Sequence, residues 1–261
     1  MVHQRHEDAF DRRAAGYDAA RIRLYNDAIE RHPKARDTER RILVDLLDLR
    51  SGVEVCDVAA GGGYLADGIH ARLDGDCRIL CLENSAHFSE SLPERYERVL
   101  CSLSDIGIET SSVDRVACLA GVHHQQDKQR FFDEAFRILR PGGRIAVGDV
   151  VHGSAPARFL NEAVNRWSDL GHVGIFLESG ELTRLMRSAG FVDVVERVHE
   201  YTWDFPNLGD LVWFCKTLFR MTKAELEDVE AELRRYIVLE LEPSAARMRW
   251  SLVYASARKA Q

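Results

Sequence analysis

His123 and His124 stand side by side, followed by Gln125, Gln126 and Asp127, directly after the apolar run VACLA. An imidazole, with a reference pKa of about 6.5, is the side chain suited to taking a proton near neutrality. A second constellation lies upstream in VCDVAAGGGYLA, Val55 to Ala66. Its glycines bare the backbone between a strand-like run and a helix-like start, so a ligand can approach without meeting a side chain. Gly61, Gly63 and Ala66 satisfy the G-x-G-x-x-(G/A) spacing, and Glu83 follows Gly63 by 20 residues, where a carboxylate accepts two hydrogen bonds from a ribose diol. Together these residues imply a cradle for an adenosine-containing cofactor beside a proton acceptor.

Asp57 narrows the choice of cofactor. An anion beside a diphosphate is unfavourable by Coulomb's law, and one beside an ammonium is favourable. S-adenosylmethionine carries an ammonium, a sulfonium and a ribose, and no phosphate. A dehydrogenase is the runner-up within the same loop chemistry. The bland alternative is that Asp57 caps the following helix.

The elements that must position these residues are read from periodicity. Residues 7–50 are helical in pattern, interrupted at Pro33, and form an N-terminal helical lid over 1–50. Strand patterns follow at 53–59, 77–83, 98–102, 111–120 and 144–151, with helices between them and a turn at Pro141-Gly142-Gly143. Such alternation implies right-handed crossovers and a mostly parallel sheet covered on both faces. Further helices are expected at 155–170 and 178–189, then a long strand at 191–205. Two helices within about 208–240 form an insertion before a closing strand at 247–259. The expected fold is therefore α/β, a Rossmann-like doubly wound domain over 51–261.

Here the chain resembles the class I S-adenosylmethionine-dependent methyltransferases of the small-molecule type 11/25 group, over about Val53 to Val151. Asp57-Val-Ala-Ala-Gly-Gly-Gly63 resembles their acid-led glycine loop, with Ala59 in place of the first glycine. Glu83, followed by Asn84, resembles the ribose-binding acid. VDRVACLAGVHH, with Leu119 and Ala120, resembles the strand that ends under the donor. FFDEAFRILRPGGRIAVGD resembles the helix–turn–strand segment. The resemblance implies a seven-stranded sheet with the last strand antiparallel. It implies S-adenosylmethionine as cofactor and S-adenosylhomocysteine as product. One departure stands out: Ser102-Leu103 occupies the position where relatives place an acid for the adenine amine.

Val122 to Asp127 also resembles a stretch of O-methyltransferases in which the first histidine is the general base, which places that role on His123, with His124 beside it. His152 and His172 are weaker candidates for lining the acceptor site. Tyr17 and Arg21, one turn apart, share a helix face and, with Arg36, are candidates for the donor's carboxylate. Trp167, Phe176, Tyr201 and Trp203, with Trp213, Phe214 and Phe219, supply aromatic surface for an apolar or planar substrate.

Acidic residues exceed basic ones by 42 to 35 in 261 residues, which argues against nucleic acid or an anionic membrane as partner. No apolar run reaches the ~18 residues of a membrane span. The polar start MVHQRHEDAFDRR is unlike a secretory signal, so a cytoplasmic location is expected. Cys56, Cys77, Cys81, Cys101, Cys118 and Cys215 form no CxxC pair and lack zinc spacing, and no metal site is expected in the chain. A homodimer is compatible with the composition. The function expected is methyl transfer to a small organic metabolite. The alternatives are a lyase or cyclase consuming S-adenosylmethionine, and a non-catalytic cofactor-binding subunit.

Overall fold

The computed structural model describes residues 19–172 and 174–261. Tyr17, and with it the helical pattern expected over 7–18, lies outside the described residues. The described chain begins with two helices, α1 (Ala19–Arg31) and α2 (Asp37–Leu46). The alternating region follows: β1 (Val53–Val58), α3 (Tyr64–Arg72), β2 (Cys77–Glu83), α4 (Ala86–Ser91), β3 (Glu97–Leu100), β4 (Val113–Leu119), α5 (Lys128–Ile138) and β5 (Leu139–Asp149). Next come α6 (Ala155–Arg158), a π-helical turn (Phe159–Val164) and α7 (Asn165–Trp167), continuous with one another, then α8 (Glu181–Ser188) and β6 (Val192–Phe205). The chain closes with α9 (Leu208–Leu218), α10 (Leu226–Tyr236), β7 (Leu239–Glu242) and β8 (Ala245–Arg258).

The sheet order is β3-β2-β1-β4-β5-β8-β6, with β1 to β5 parallel and β8 antiparallel to both β5 and β6. The last strand is thus antiparallel, as expected, and sits between β5 and β6. The short β7 pairs with the start of β8 and brings the sheet to eight strands rather than seven. This corrects the helical reading of the insertion beyond Tyr236. Leu239-Glu240-Leu241-Glu242 alternates with period two, which is a strand signal.

Both faces of the sheet are covered because the buried strands alternate. Val116, Cys118, Ile145 and Val147 join one apolar cluster with Phe131, Phe132, Leu182 and Met186. Ala117 and Ala146 join the other, with Leu43, Leu65 and Ile69. In α5 the buried Phe131, Phe132, Ala135 and Ile138 recur at helical spacing, and Asp127 caps the helix by accepting from the Gln129 N–H at 3.2 Å. Truncating Phe132 to alanine there costs about 3–5 kcal/mol, since the rigid surroundings leave a cavity. The Pro141-Gly142-Gly143 turn is a bulge within β5, where the register with β4 jumps between Leu139 and Arg144. The six cysteines are free. No described helix is long and apolar enough to cross a membrane.

Strand order reverses between β1 and β4. The crevice beyond the carboxyl ends of these strands is the place where doubly wound sheets bind ligands.

Candidate active site

A cavity of about 220 Å³ opens at that reversal. The loop after β1 gives it Ala59 and Gly61. The end of β2 gives Glu83 and Asn84, and the segment after β3 gives Leu103. The end of β4 and the turn beyond it give Leu119, Ala120, Gly121, His123 and His124. Arg21 and Tyr25 on α1, with Arg36 and Glu39 at the start of α2, line it from the other side.

The glycine loop turns because two residues accept left-handed backbone: Ala59 with φ 60° and Gly61 with φ 57°. A methyl group at Gly61 would sit 3.8 Å from the Tyr25 ring, so a larger side chain there fills the crevice. The Gly61 N–H donates to the Glu83 carboxylate. Glu83 is 5% exposed. Burial pushes its pKa up to about 7, partly offset by the backbone N–H groups of Gly61, Ser85 and Asn84.

Asp57 accepts from the Ala66 N–H at 3.1 Å and so does cap α3. It also lines a small cavity of about 30 Å³ with Tyr25, Arg36, Ala59 and Tyr64. Burial first, and then the charge of Glu83, push its pKa well above the usual carboxylate range. The Tyr64 hydroxyl is buried with no hydrogen-bond partner among the described residues. An orphaned hydroxyl and a destabilised carboxylate side by side fit an ammonium group, which would satisfy one and neutralise the other.

Arg36 is held by the buried Glu39, which accepts from its Nε at 3.1 Å, from the Tyr201 hydroxyl at 3.1 Å and from Trp203 Nε1 at 3.0 Å. Burial by itself lowers the guanidinium pKa. The charge of Glu39, with Tyr25 and Tyr64, outweighs that and raises its pKa. Arg36 also packs over the rings of Tyr64 and Trp203, at 5.0 and 4.9 Å. A fixed cation beside an ammonium site suits an amino acid's carboxylate. The donor set therefore fits S-adenosylmethionine: Glu83 for its ribose, Asp57 and Tyr64 for its ammonium, Arg36 for its carboxylate.

The histidines occupy the other end. His123 is 4% exposed; its N–H donates to Asp149 Oδ2 at 3.0 Å, and its Nδ1 faces Asp149 Oδ1 at 2.7 Å. The His124 ring lies tilted against it with 4.0 Å between centroids, and the His172 ring lies 5.7 Å from that of His123. Burial and the neighbouring His123, His172 and Arg21 hold His124 well below the ordinary imidazole pKa. Burial, His123 and Arg21 bring His172 down to about 3. Both rings are therefore neutral at pH 7. Beyond them Leu160, Val164, Trp203, Phe219 and Trp250 make an apolar wall.

Several expected residues lie elsewhere. Gly63 is the left-handed N-cap of α3 and packs toward Leu92 and Tyr96, away from the cavity. Ser102 turns its hydroxyl to Ser104 at 2.9 Å, so Leu103 is the member of that pair in the lining. His152 is 65% exposed and pairs with Glu178 at 2.7 Å. Of the expected aromatics, Trp203 and Phe219 line the cavity, and Trp167, Phe176, Tyr201, Trp213 and Phe214 do not. Tyr25, Glu39, Asp149 and Trp250 were not anticipated. Tyr25 lies one further turn along the face of Arg21, and Asp149 is a strand-end acid like Asp57, so both carried a legible signal.

Residues 56–147 match the Methyltransf_11 family, a methyltransferase domain. Over those residues the chain is similar to methyltransferases. It is 29% identical to 27-O-demethylrifamycin SV methyltransferase of Amycolatopsis mediterranei over 171 residues, which cover 61% of this chain and 62% of that protein. It is 27% identical to erythromycin 3''-O-methyltransferase of Saccharopolyspora erythraea, covering 40% of this chain and 37% of that protein. The match thus spans less than two thirds of either relative. Phosphoethanolamine N-methyltransferase 2 of Haemonchus contortus, solved with S-adenosyl-L-methionine, has the same fold with a TM-score of 0.64 at 15% identity, covering 94% of this chain and 58% of that one.

Proposed function

We propose that this protein transfers the methyl group of S-adenosylmethionine to a small, largely apolar organic acceptor through a hydroxyl or similar nucleophile. The observation that carries the reading is the two-ended cavity. Donor-type groups, Glu83 and Arg36, stand at one end, and Asp149-bound His123 with an aromatic wall stands at the other. Methyl transfer is an in-line displacement on a carbon that is already electrophilic, so the protein's task is alignment and activation of the acceptor. Asp149 holds the His123 Nδ1 proton and leaves Nε2 as the basic atom of that ring. The names of two relatives, 27-O-demethylrifamycin SV methyltransferase and erythromycin 3''-O-methyltransferase, place the methyl group on an oxygen of an organic compound, which supports a hydroxyl acceptor.

In this reading Asp57, Ala59, Gly61, Glu83, Asn84, Leu103, Leu119 and Ala120 surround the donor, while Arg21, Tyr25 and Arg36 close over its amino acid part. The lid is α1 and α2 with α9 and α10, excluding water from the sulfonium. The Arg31–Asp210 ion pair at 3.2 Å and Arg31 over the Trp213 ring at 4.3 Å support that pairing of segments. The test is incubation with methyl-labelled donor and a panel of hydroxylated polyketide and macrolide acceptors. Label should reach an acceptor, with S-adenosylhomocysteine as co-product. Methylthioadenosine formed without any acceptor would instead indicate self-reaction of the donor and end the transfer reading.

A further inference from the structure

Three imidazoles meet at the acceptor end, and proton transfer needs one. His123, His124 and His172 each offer a ring nitrogen, and the three atoms lie within 4.8 Å of one another. Two of the rings have their tautomer set. Asp149 Oδ1 accepts from His123 Nδ1 at 2.7 Å. Asn161 Oδ1 lies 3.2 Å from His172 Nδ1. That amide cannot be flipped, since the same oxygen accepts from the Gly174 N–H at 2.8 Å and its Nδ2 donates to the Gly174 carbonyl at 3.0 Å. Nδ1 of His172 therefore carries the proton, and Nε2 of both rings carries the lone pair. Asn161 itself stands in the π-helical turn, a rare backbone form that occurs frequently at functional sites.

We propose that His123, His124 and His172 form a binding site for a divalent transition metal of the zinc type, with an open coordination position toward the acceptor end of the cavity. Three imidazoles with a vacant fourth position make a catalytic zinc donor set. Bonds of about 2.0–2.1 Å in a tetrahedron place the nitrogens about 3.3 Å apart, so they need to close by no more than about 1.5 Å. A carboxylate on one ligand's far nitrogen and an amide on another's are the outer partners that metal-binding histidines require. Asp149, fully buried, supplies the negative charge, while Arg21 faces His124 and His172 from α1 and opposes it. With metal bound, His123 Nε2 is a ligand and no longer a free base, and the open position would hold an acceptor hydroxyl or thiol and acidify it in that base's place, a use that rests on the proposed transfer reaction. Metal binding itself does not.

The experiment titrates chelator-stripped protein with Zn²⁺ by calorimetry and with Co²⁺ by visible absorption, in the native chain, His172→Ala, His172→Gln and Asn161→Ala. S-adenosylhomocysteine titration checks that each variant keeps its fold. The native chain should take one equivalent of either metal, with the intense absorption of four-coordinate cobalt. Both His172 variants should lose the site, and Asn161→Ala should weaken it about 10- to 100-fold. Absence of that equivalent in the native chain, or unchanged affinity in the His172 variants, overturns the proposal. A chain that binds metal as described but no S-adenosylhomocysteine would leave the metal site standing and remove the transfer reading.

Discussion

Donor affinity should fall steeply on acidification because of one carboxyl group. Glu83 is buried at the end of β2, and its pKa is pushed from an ordinary 4.5 to about 7. Only the ionised form accepts both ribose hydroxyls. Each pH unit below that pKa therefore leaves roughly a tenth of the charged form of the unit above and weakens binding about tenfold, with a plateau above pH ~8. Glu83→Gln removes the charge and keeps the shape. Losing charge assistance on two hydrogen bonds, about 1 kcal/mol each, weakens binding about thirtyfold on the plateau and abolishes the pH slope. The same group acts on stability with the opposite preference. Its folded pKa lies above its unfolded one, so between them the folded state binds more protons, and stability is lost as pH rises through that window. The loss is about 3 kcal/mol for a shift of this size, and Glu83→Gln should flatten it. Calorimetry with S-adenosylhomocysteine across the window, beside urea melts, reads both effects. A native affinity independent of pH, or an unchanged slope in Glu83→Gln, would refute the reasoning.

His123→Ala should lower kcat about 10²- to 10⁴-fold in the acceptor assay with S-adenosylhomocysteine affinity retained, and Asp149→Asn should follow in the same direction. An equal loss of donor affinity would make the pair structural. Gly61→Val should abolish donor binding by filling the crevice beside Tyr25, and near-native affinity by calorimetry would place the donor elsewhere. Glu39→Ala leaves Arg36 buried and uncompensated and should cost about 3–5 kcal/mol in chemical denaturation, against a change below ~1 kcal/mol if the network is dispensable. Amide exchange in α1 and α9 should slow when S-adenosylhomocysteine and acceptor bind; unchanged rates in both would reduce the lid to packing.

What was legible in the sequence was local. The glycine loop, the strand-end acids Asp57 and Glu83, and the β–α alternation each follow from spacing within a few residues. The misses arise where partners are distant in the chain. Glu39 reads as a surface acid on an amphipathic helix until β6 brings Tyr201 and Trp203 to it. His172 was expected to line the acceptor site and does, but its place beside His123 depends on the π-helical turn carrying Asn161, which its own neighbours in the chain do not reveal. Ser102 stands where relatives place an acid, but its bridge to Asp105 and its bond to Ser104 turn it aside. In β7 the strand signal was present, and the preceding helix pattern masked it.

In the proposed function the crevice beyond β1 and β4 holds S-adenosylmethionine. Calorimetric titration of the chain with S-adenosylmethionine, S-adenosylhomocysteine and NAD tests it most directly. One equivalent of each of the first two should bind, Glu83→Ala should lose both, and NAD should not bind. Binding of NAD with no heat from either S-adenosyl ligand at millimolar concentration would contradict it.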